Sequence, residues 1–142
     1  MTSAFSGIRI IDLSDKTVGS YTGLLLCDMG AEVIKVEAHE NTLDPNDRFF
    51  NRGKKSISLD VTDQSKRAQL DQLIQSADVL ISTRLIDNAK SLKLDYENIA
   101  KVNPSLIYCS IPPYGDSGPM ANIPGDDGTI GTYTGIHEGQ GG

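Results

Sequence analysis

The first residues in this chain whose types and spacing could do chemistry lie between positions 12 and 20. This segment separates a short apolar run from a Leu-rich run, so it has the place of a turn that opens a helix. Backbone N–H groups at a helix start attract phosphate, and Lys16 could add a positive charge. The alternative is a solvated loop lysine, the usual state of this residue type.

Two common kinds of site lack their sequence patterns. The turn has one glycine, Gly19, and lacks the Gly-x-Gly-x-x-Gly pattern of dinucleotide-binding turns, which disfavours an NAD site. Two histidines, His39 and His137, with no Cys-x-x-Cys spacing, give no zinc signal. Cys27 and Cys109 lie inside apolar runs, and we expect them to be buried free thiols.

Length and charge exclude several classes of protein. The 142 residues suit one domain with a core, and a net charge of −6 disfavours non-specific binding to nucleic acid. No apolar run approaches the roughly 20 residues that span a bilayer. The start of the chain has neither the basic nor the apolar region of a secretory signal. We therefore expect a cytoplasmic protein without a nucleic-acid or membrane partner.

Alternating elements must position the turn. Short apolar runs predict strands at residues 8–13, 32–37, 77–82 and 106–111, and an alternation of polar and apolar residues predicts another at 56–61. Helices are predicted over 17–29, from an N-cap at Thr62 through 75, and over 96–102 after an Asp95 cap. Gly30 and Pro104 are helix stops. Residues 88–94 and 129–134 are compatible with shorter helices, and residues 38–55 are predicted to form a long surface loop.

The order of these elements predicts an α/β fold. A strand, a helix and a strand over about 30 residues form a βαβ unit with parallel strands. Repetition of that unit gives a Rossmann-like open, mainly parallel sheet with helices on both faces. Ligands bind such sheets at the carboxyl ends of the strands, where the strand order reverses. We assign residues 1–112 to this domain and residues 113–142 to a turn-rich extension.

Several segments, in order, make the chain similar to a known family. Residues 7–14, Gly-Ile-Arg-Ile-Ile-Asp-Leu-Ser, and residues 30–37, Gly-Ala-Glu-Val-Ile-Lys-Val-Glu, resemble the opening of family III CoA-transferases. This is the CaiB/BaiF type, which includes the α-methylacyl-CoA racemase branch. Residues 51–60, 77–81, 94–97, 103–110 and 114–119 are similar to the family as well. Together these segments extend over nearly the whole chain.

The resemblance implies a fold and a ligand. The family moves CoA between carboxylic acids or, in its racemase branch, isomerises acyl-CoA esters; no covalently bound cofactor is implied. Residues 1–112 would be a CoA-binding domain of Rossmann type, with coenzyme A or an acyl-CoA as its ligand. The positions that hold CoA by this resemblance are Asp15, Lys16, Thr17, Val18, Gly19, Ala38, Leu59, Thr62, Thr83 and Arg84.

Some ligand-facing positions depart from the family's pattern. Ala38 stands where an arginine is frequent, and Ser91 stands where a basic residue is common. Residues 82–87 replace a Glu-Asn-aromatic-x-Pro-Gly turn. We expect Arg84 and Lys90 to compensate for the lost positive charge, because guanidinium and ammonium groups both bind the phosphates of CoA.

Asp126 and Asp127 form the carboxylate pair best placed for chemistry. Family members carry Tyr, Phe or His where Asp126 stands, and the racemase branch implies that Asp127 orients substrate or acts as an acid or base. The alternative is a solvated turn, which Asp and Gly favour for backbone reasons. The transferase branch also uses an Asp nucleophile that carries the acyl group as an anhydride. By the resemblance, that residue would fall beyond Gly142.

These inferences leave three functions open. The chain is expected to be the N-terminal portion of a CoA-transferase, truncated and without activity alone. It could instead be a stand-alone CoA-binding or interaction module, as a homodimer or with a partner that supplies the missing C-terminal part. The third function is a small NAD domain. A rise in melting temperature with CoA supports the first two functions, and a rise with NAD supports the third.

Overall fold

A computed structural model describes residues 3–37, 45–136 and 138 of the chain. Five parallel strands form one sheet with the order β3-β2-β1-β4-β5. This order confirms the predicted open, parallel α/β sheet. The strands are β1 (Arg9–Asp12), β2 (Glu32–Glu37), β3 (Lys55–Ser58), β4 (Val79–Ser82) and β5 (Ile107–Ser110).

Helices connect the strands and cover both faces of the sheet. They are α1 (Thr17–Asp28), α2 (Pro45–Phe50), α3 (Arg67–Gln75), α4 (Ile86–Ser91), α5 (Tyr96–Val102) and α6 (Asp127–Tyr133), with a 3₁₀ turn at Gln64–Lys66. One core lies beneath α3 and α5, where Leu70 and Ile99 pack with Ile11 and Leu80 of the sheet. The other core lies beneath α1, where Leu26 packs with residues that include Ile10, Val33 and Ile81.

The end of α1 shows how the sequence sets the boundary of an element. Gly30 has a φ of +98°, a conformation that favours glycine. Its N–H donates to the Cys27 carbonyl at 2.9 Å, and the Ala31 N–H donates to the Leu26 carbonyl at 3.0 Å. This pair of bonds is a Schellman motif, which satisfies carbonyls that the helix leaves open. The chain therefore turns from α1 directly into β2, as the sequence predicted.

Two local predictions were wrong, and the boundary of a third element differs. The expected loop over residues 38–55 contains α2, which begins at Pro45 because proline suits the first position of a helix. Thr62 is not an N-cap: its hydroxyl donates to Asp60, and Asp63 caps the 3₁₀ turn by accepting from the Ser65 N–H. The last helix begins at Asp127 rather than at residue 129.

Three further features bear on the choice of function. Cys27 and Cys109 are free thiols, as expected, but they are half-buried rather than fully buried. Within residues 3–37, 45–136 and 138, no helix is long and apolar enough to cross a membrane. In the same ranges, no cluster of His, Cys, Asp and Glu side chains could hold a metal ion.

Candidate functional site

The strand order reverses between β1 and β4, which are neighbours although two strands separate them in sequence. At the carboxyl ends of these strands, the turn before α1 meets the turn before α4. The Thr83 hydroxyl donates to the Asp15 carboxylate at 2.7 Å, and the Asp15 N–H donates to the Thr83 hydroxyl oxygen at 3.0 Å. These two bonds hold the turns together at the place where such sheets bind ligands.

Gly19 lets α1 begin close to both turns. A Cβ at this position would overlap the Ser14 Cβ and would lie 2.7 Å from the Thr83 Cγ2. Lys16 occupies the N-cap position of α1, and its side chain makes no capping bond. The start of this helix therefore keeps backbone N–H groups that an anionic ligand could use.

A cavity of about 330 Å³ opens at this junction. The predicted residues Asp15, Lys16, Thr83 and Arg84 all line it. In the described part of the chain, the buried Nε of Arg84 has no hydrogen-bond partner. Arg84 Nη1 donates to the Asn88 side chain at 3.1 Å. The remaining residues that line the cavity are Leu85, Asn88, Pro113, Pro124 and Gly125.

A second cavity, of about 190 Å³, shares Lys16, Pro113 and Gly125 with the first. The predicted residues Val18 and Asp127 line it, so the structure brings the β1–α1 turn and the start of α6 to one place. Asp127 is the exposed first residue of α6. The other residues that line this cavity are Ile111, Pro112, Asp126 and Ile130.

Asp126 has a structural role at this edge. Its carboxylate accepts from the Thr129 N–H at 2.8 Å, and the Thr129 hydroxyl completes a capping box with the Asp126 backbone. These bonds from Thr129 lower the pKa of Asp126, and the Lys16 charge lowers it slightly further. The residue that replaces the family's Tyr, Phe or His is thus the cap that starts α6.

The other predicted residues lie elsewhere. Thr17 is exposed at the first position of α1. Leu59 is buried among core residues beneath α3, and Thr62 is exposed beside Asp60; neither lines the two cavities. Ala38 lies outside the described residues.

The sequence analysis missed a buried ionic cluster beneath the β1–α1 turn. The Asp12 carboxylate is fully buried and accepts from two ammonium groups, Lys54 Nζ at 2.8 Å and Lys35 Nζ at 3.3 Å. Asp12 also accepts from the N–H and the hydroxyl of Ser14. The exposed fractions of the side chains are 8% for Lys35 and 1% for Lys54. We call Asp12, Lys35 and Lys54 the buried charge cluster.

Each lysine of the buried charge cluster also bonds a backbone carbonyl of the turn. Lys35 Nζ donates to the Ser14 carbonyl, and Lys54 Nζ donates to the Ser20 carbonyl at 2.8 Å. Burial lowers the pKa of Lys54, although the nearby Asp12 charge opposes the shift. A signal for this cluster exists in the sequence, since Asp12 and Lys35 both sit inside apolar runs that must be buried in a parallel sheet.

Known proteins resemble the chain along nearly all of its length. A family model described as CoA-transferase family III matches residues 5–142. Over 141 residues the chain is 37% identical to a succinate–glutarate CoA-transferase of Agrobacterium fabrum. The aligned region covers 86% of this chain and 35% of that protein. Over 144 residues it is 33% identical to an acetyl-CoA:oxalate CoA-transferase of Acetobacter aceti, with coverages of 93% and 37%.

A solved structure agrees with these sequences. A CaiB/BaiF family protein from Brucella suis superposes with a TM-score of 0.88 at 34% identity, which covers 96% of this chain and 40% of that one. The chain therefore spans between 35% and 40% of the length of these three relatives.

Proposed function

This chain belongs to CoA-transferase family III, and from that premise we propose that it is the N-terminal, coenzyme A-binding part of an enzyme that transfers CoA between carboxylic acids. Its ligand is a CoA thioester or free CoA, bound at the carboxyl edge of the sheet. The relatives named as transferases of succinate, glutarate and oxalate support this reaction class.

One observation carries the proposal. Four residues that the resemblance assigns to CoA come from two separate turns and line a single cavity at the reversal of strand order. Arg84 and Lys16 supply positive charge there, and the start of α1 supplies backbone N–H groups. Such groups bind the phosphates of a nucleotide-like ligand. Lys90 of α4 lines a third cavity, of about 530 Å³ beside β5 and α5, which Arg84 also lines, so it adds further positive charge near Arg84.

Asp127 has a proposed role at the neighbouring cavity, where the acyl part of the ligand would lie. Its exposed carboxylate beside Val18 and Lys16 can orient an acyl group or exchange a proton with it. We do not assign it the covalent step, because the family's acyl-carrying Asp belongs to a downstream segment. The chain alone is then expected to bind CoA without transferring it.

A second copy of this chain is the partner we propose. Four apolar side chains, three on α1 and one at its C-cap, recur at spacings that place them on one exposed face of the helix. Each of them is at least 41% exposed, so a second molecule could cover them. Sedimentation that shows only monomers at every concentration would exclude this partner. The four residues are Val18, Tyr21, Leu25 and Met29.

A cytoplasmic location is also proposed. The support is that Cys27 and Cys109 are both free, the usual state of thiols in a reducing compartment. Cell fractionation that recovers the protein outside the cytoplasm would contradict it.

The experiment that tests the proposed function is calorimetric titration of the purified chain with CoA. We expect saturable binding, weakened about tenfold by Arg84→Ala, which is the effect of losing one charge-assisted contact. The matched control is Arg9→Ala. This change removes the same charge at the amino end of β1, where Arg9 pairs with Glu32. Equal affinities for the two variants would remove Arg84 from the site, and no binding by the unaltered chain would refute the function.

A further inference from the structure

The buried charge cluster holds more positive charge than its own carboxylate can neutralise. Asp12 carries one negative charge and contacts two ammonium groups, and all three side chains are almost completely shielded from water. A buried charge is costly unless it is paired. One lysine would satisfy Asp12, so stability alone does not explain the second.

The two lysines bond opposite ends of the same turn. Lys35 Nζ contacts the carbonyl and the hydroxyl of Ser14, at the start of the turn, and also lies 3.5 Å from the Ser20 hydroxyl. Lys54 Nζ bonds the carbonyl of Ser20, in the first turn of α1. Residues 15–18 lie between these two anchors and line the two cavities at Asp15, Lys16 and Val18.

The helix is shaped to lie against the cluster. A Cβ on Gly23 would lie 3.0 Å from both Lys54 Nζ and an Asp12 carboxylate oxygen. Gly19, Ser20 and Gly23 are the small, buried residues of α1 on this side. A larger side chain at Gly23 would press on the ammonium of Lys54, so the sequence preserves the space that this group needs.

Polar and charged groups from four segments of the chain surround Lys54 Nζ. It faces Asp12 on β1, Lys35 on β2, the Ser20 carbonyl and the Cys27 thiol on α1, and the Asn51 side chain before β3. Asp12 is the carboxylate among them. The ammonium therefore has good hydrogen-bond acceptors and a deficit of negative charge.

We propose that Lys54 is a positioning residue for ligand binding: it fixes the α1 end of the β1–α1 turn and keeps the base of that turn positively charged for an anionic ligand. The inference rests on the proposed function for the identity of that ligand, the phosphates of CoA. Lys54 acts through the turn and does not itself contact the ligand.

The test compares Lys54→Met with Lys55→Met, its neighbour on β3. Lys55 points outward, with a side chain that is 69% exposed and paired with Glu32, so its loss removes the same charge without touching the turn. Two quantities are measured on each variant: affinity for CoA by calorimetry, and hydrogen exchange of the Gly19 and Ser20 amides, both of which donate to the Lys16 carbonyl. Lys54→Met leaves Asp12 paired with Lys35, so the chain is expected to fold.

We expect Lys54→Met to weaken CoA binding about tenfold and to speed exchange of these amides several-fold, while Lys55→Met changes neither. If Lys54→Met fails to fold, Gly23→Ala, which crowds the same ammonium, is expected to speed the same exchange. Unchanged exchange in the variant that folds overturns the inference, as does equal CoA affinity of Lys54→Met and Lys55→Met. If the unaltered chain binds no CoA, the proposed function fails, and hydrogen exchange alone decides whether Lys54 positions the turn.

Discussion

At the scale of single residues, Asp12 is the carboxylate that pairs with both lysines beneath the β1–α1 turn. It pairs with two buried ammonium groups, Lys35 on β2 and Lys54 directly before β3, and it accepts a hydrogen bond from the Ser14 N–H. Its position inside the run Ile11-Asp12-Leu13 marks it as buried in the sequence. The burial of Lys35 has the same signal, but the pairing of Asp12 with Lys35 and Lys54 could not be predicted, because it depends on the order of the strands.

We predict that Asp12→Asn destabilises the fold by about 3 kcal/mol or more, because it leaves two buried ammonium groups without a counter-charge. Asp28→Asn is the control, since Asp28 pairs with Arg52 at the surface and both side chains are about half exposed. An exposed pair contributes about 1 kcal/mol or less. Urea unfolding of both variants measures the difference. A similar decrease in the free energy of unfolding for both variants would show that the buried charge cluster stabilises the fold no more than an exposed ion pair.

The Lys54 charge also predicts a dependence of stability on pH. Burial lowers its pKa in the folded chain below the unfolded value of 10.5. Between the folded and the unfolded pKa of Lys54, the unfolded chain binds more protons than the folded chain. The free energy of unfolding therefore rises with pH in this range. The free energy of unfolding of the unaltered chain, minus that of Lys54→Met, should therefore increase toward alkaline pH.

Urea titrations of both proteins, from about pH 7 to about pH 10, measure that difference. Tyr108 and Cys109, whose pKa values burial raises, titrate in both proteins and largely cancel. A difference that stays flat or falls with pH would mean that the ammonium of Lys54 is not penalised by burial.

At the scale of elements, the sequence predicted the parallel sheet because four strands are short apolar runs between turn residues and β3 lies in an alternating segment. It also predicted α1 correctly, since Gly30 must adopt a positive φ at its end. It missed α2, because six residues are too few for a hydrophobic period to emerge. Phe50 of α2 packs edge-on against Tyr21 of α1, with ring centroids 6.1 Å apart, and this contact arises only in the folded chain.

The junction of α1 with the two turns gives a prediction at this scale. Gly19→Ala should destabilise the fold by about 1–3 kcal/mol, because the new methyl group must displace Ser14 and Thr83. Gly128→Ala in α6 is the control: its Cβ would meet nothing nearer than an Asp126 oxygen at 3.4 Å. Thermal unfolding compares the two. A Gly19→Ala chain as stable as the control would show that α1 can move away from the turns at no cost.

At the scale of the whole molecule, the family resemblance read from scattered segments is confirmed by the match over residues 5–142. The segments that carried it are mostly strands and turns, whose residue types follow from packing. The residues assigned to CoA could be predicted only by transferring roles from the family position by position. Asp15, Lys16, Thr83 and Arg84 lie together, whereas Leu59 and Thr62 do not join them, and their roles stay predictions.

The central claim is that CoA binds where β1 and β4 end. The most direct measurement is a titration of the labelled chain with CoA, followed by amide chemical shifts in NMR spectra. The account predicts saturable shifts concentrated at residues 15–19 and at Thr83 and Arg84, with α3 and the amino ends of the strands unaffected. Shifts centred on Tyr96 and Tyr108, in the cavity of about 530 Å³ beside β5 and α5, without shifts at residues 15–19, would contradict it. No shifts at all at saturating CoA would contradict it as well.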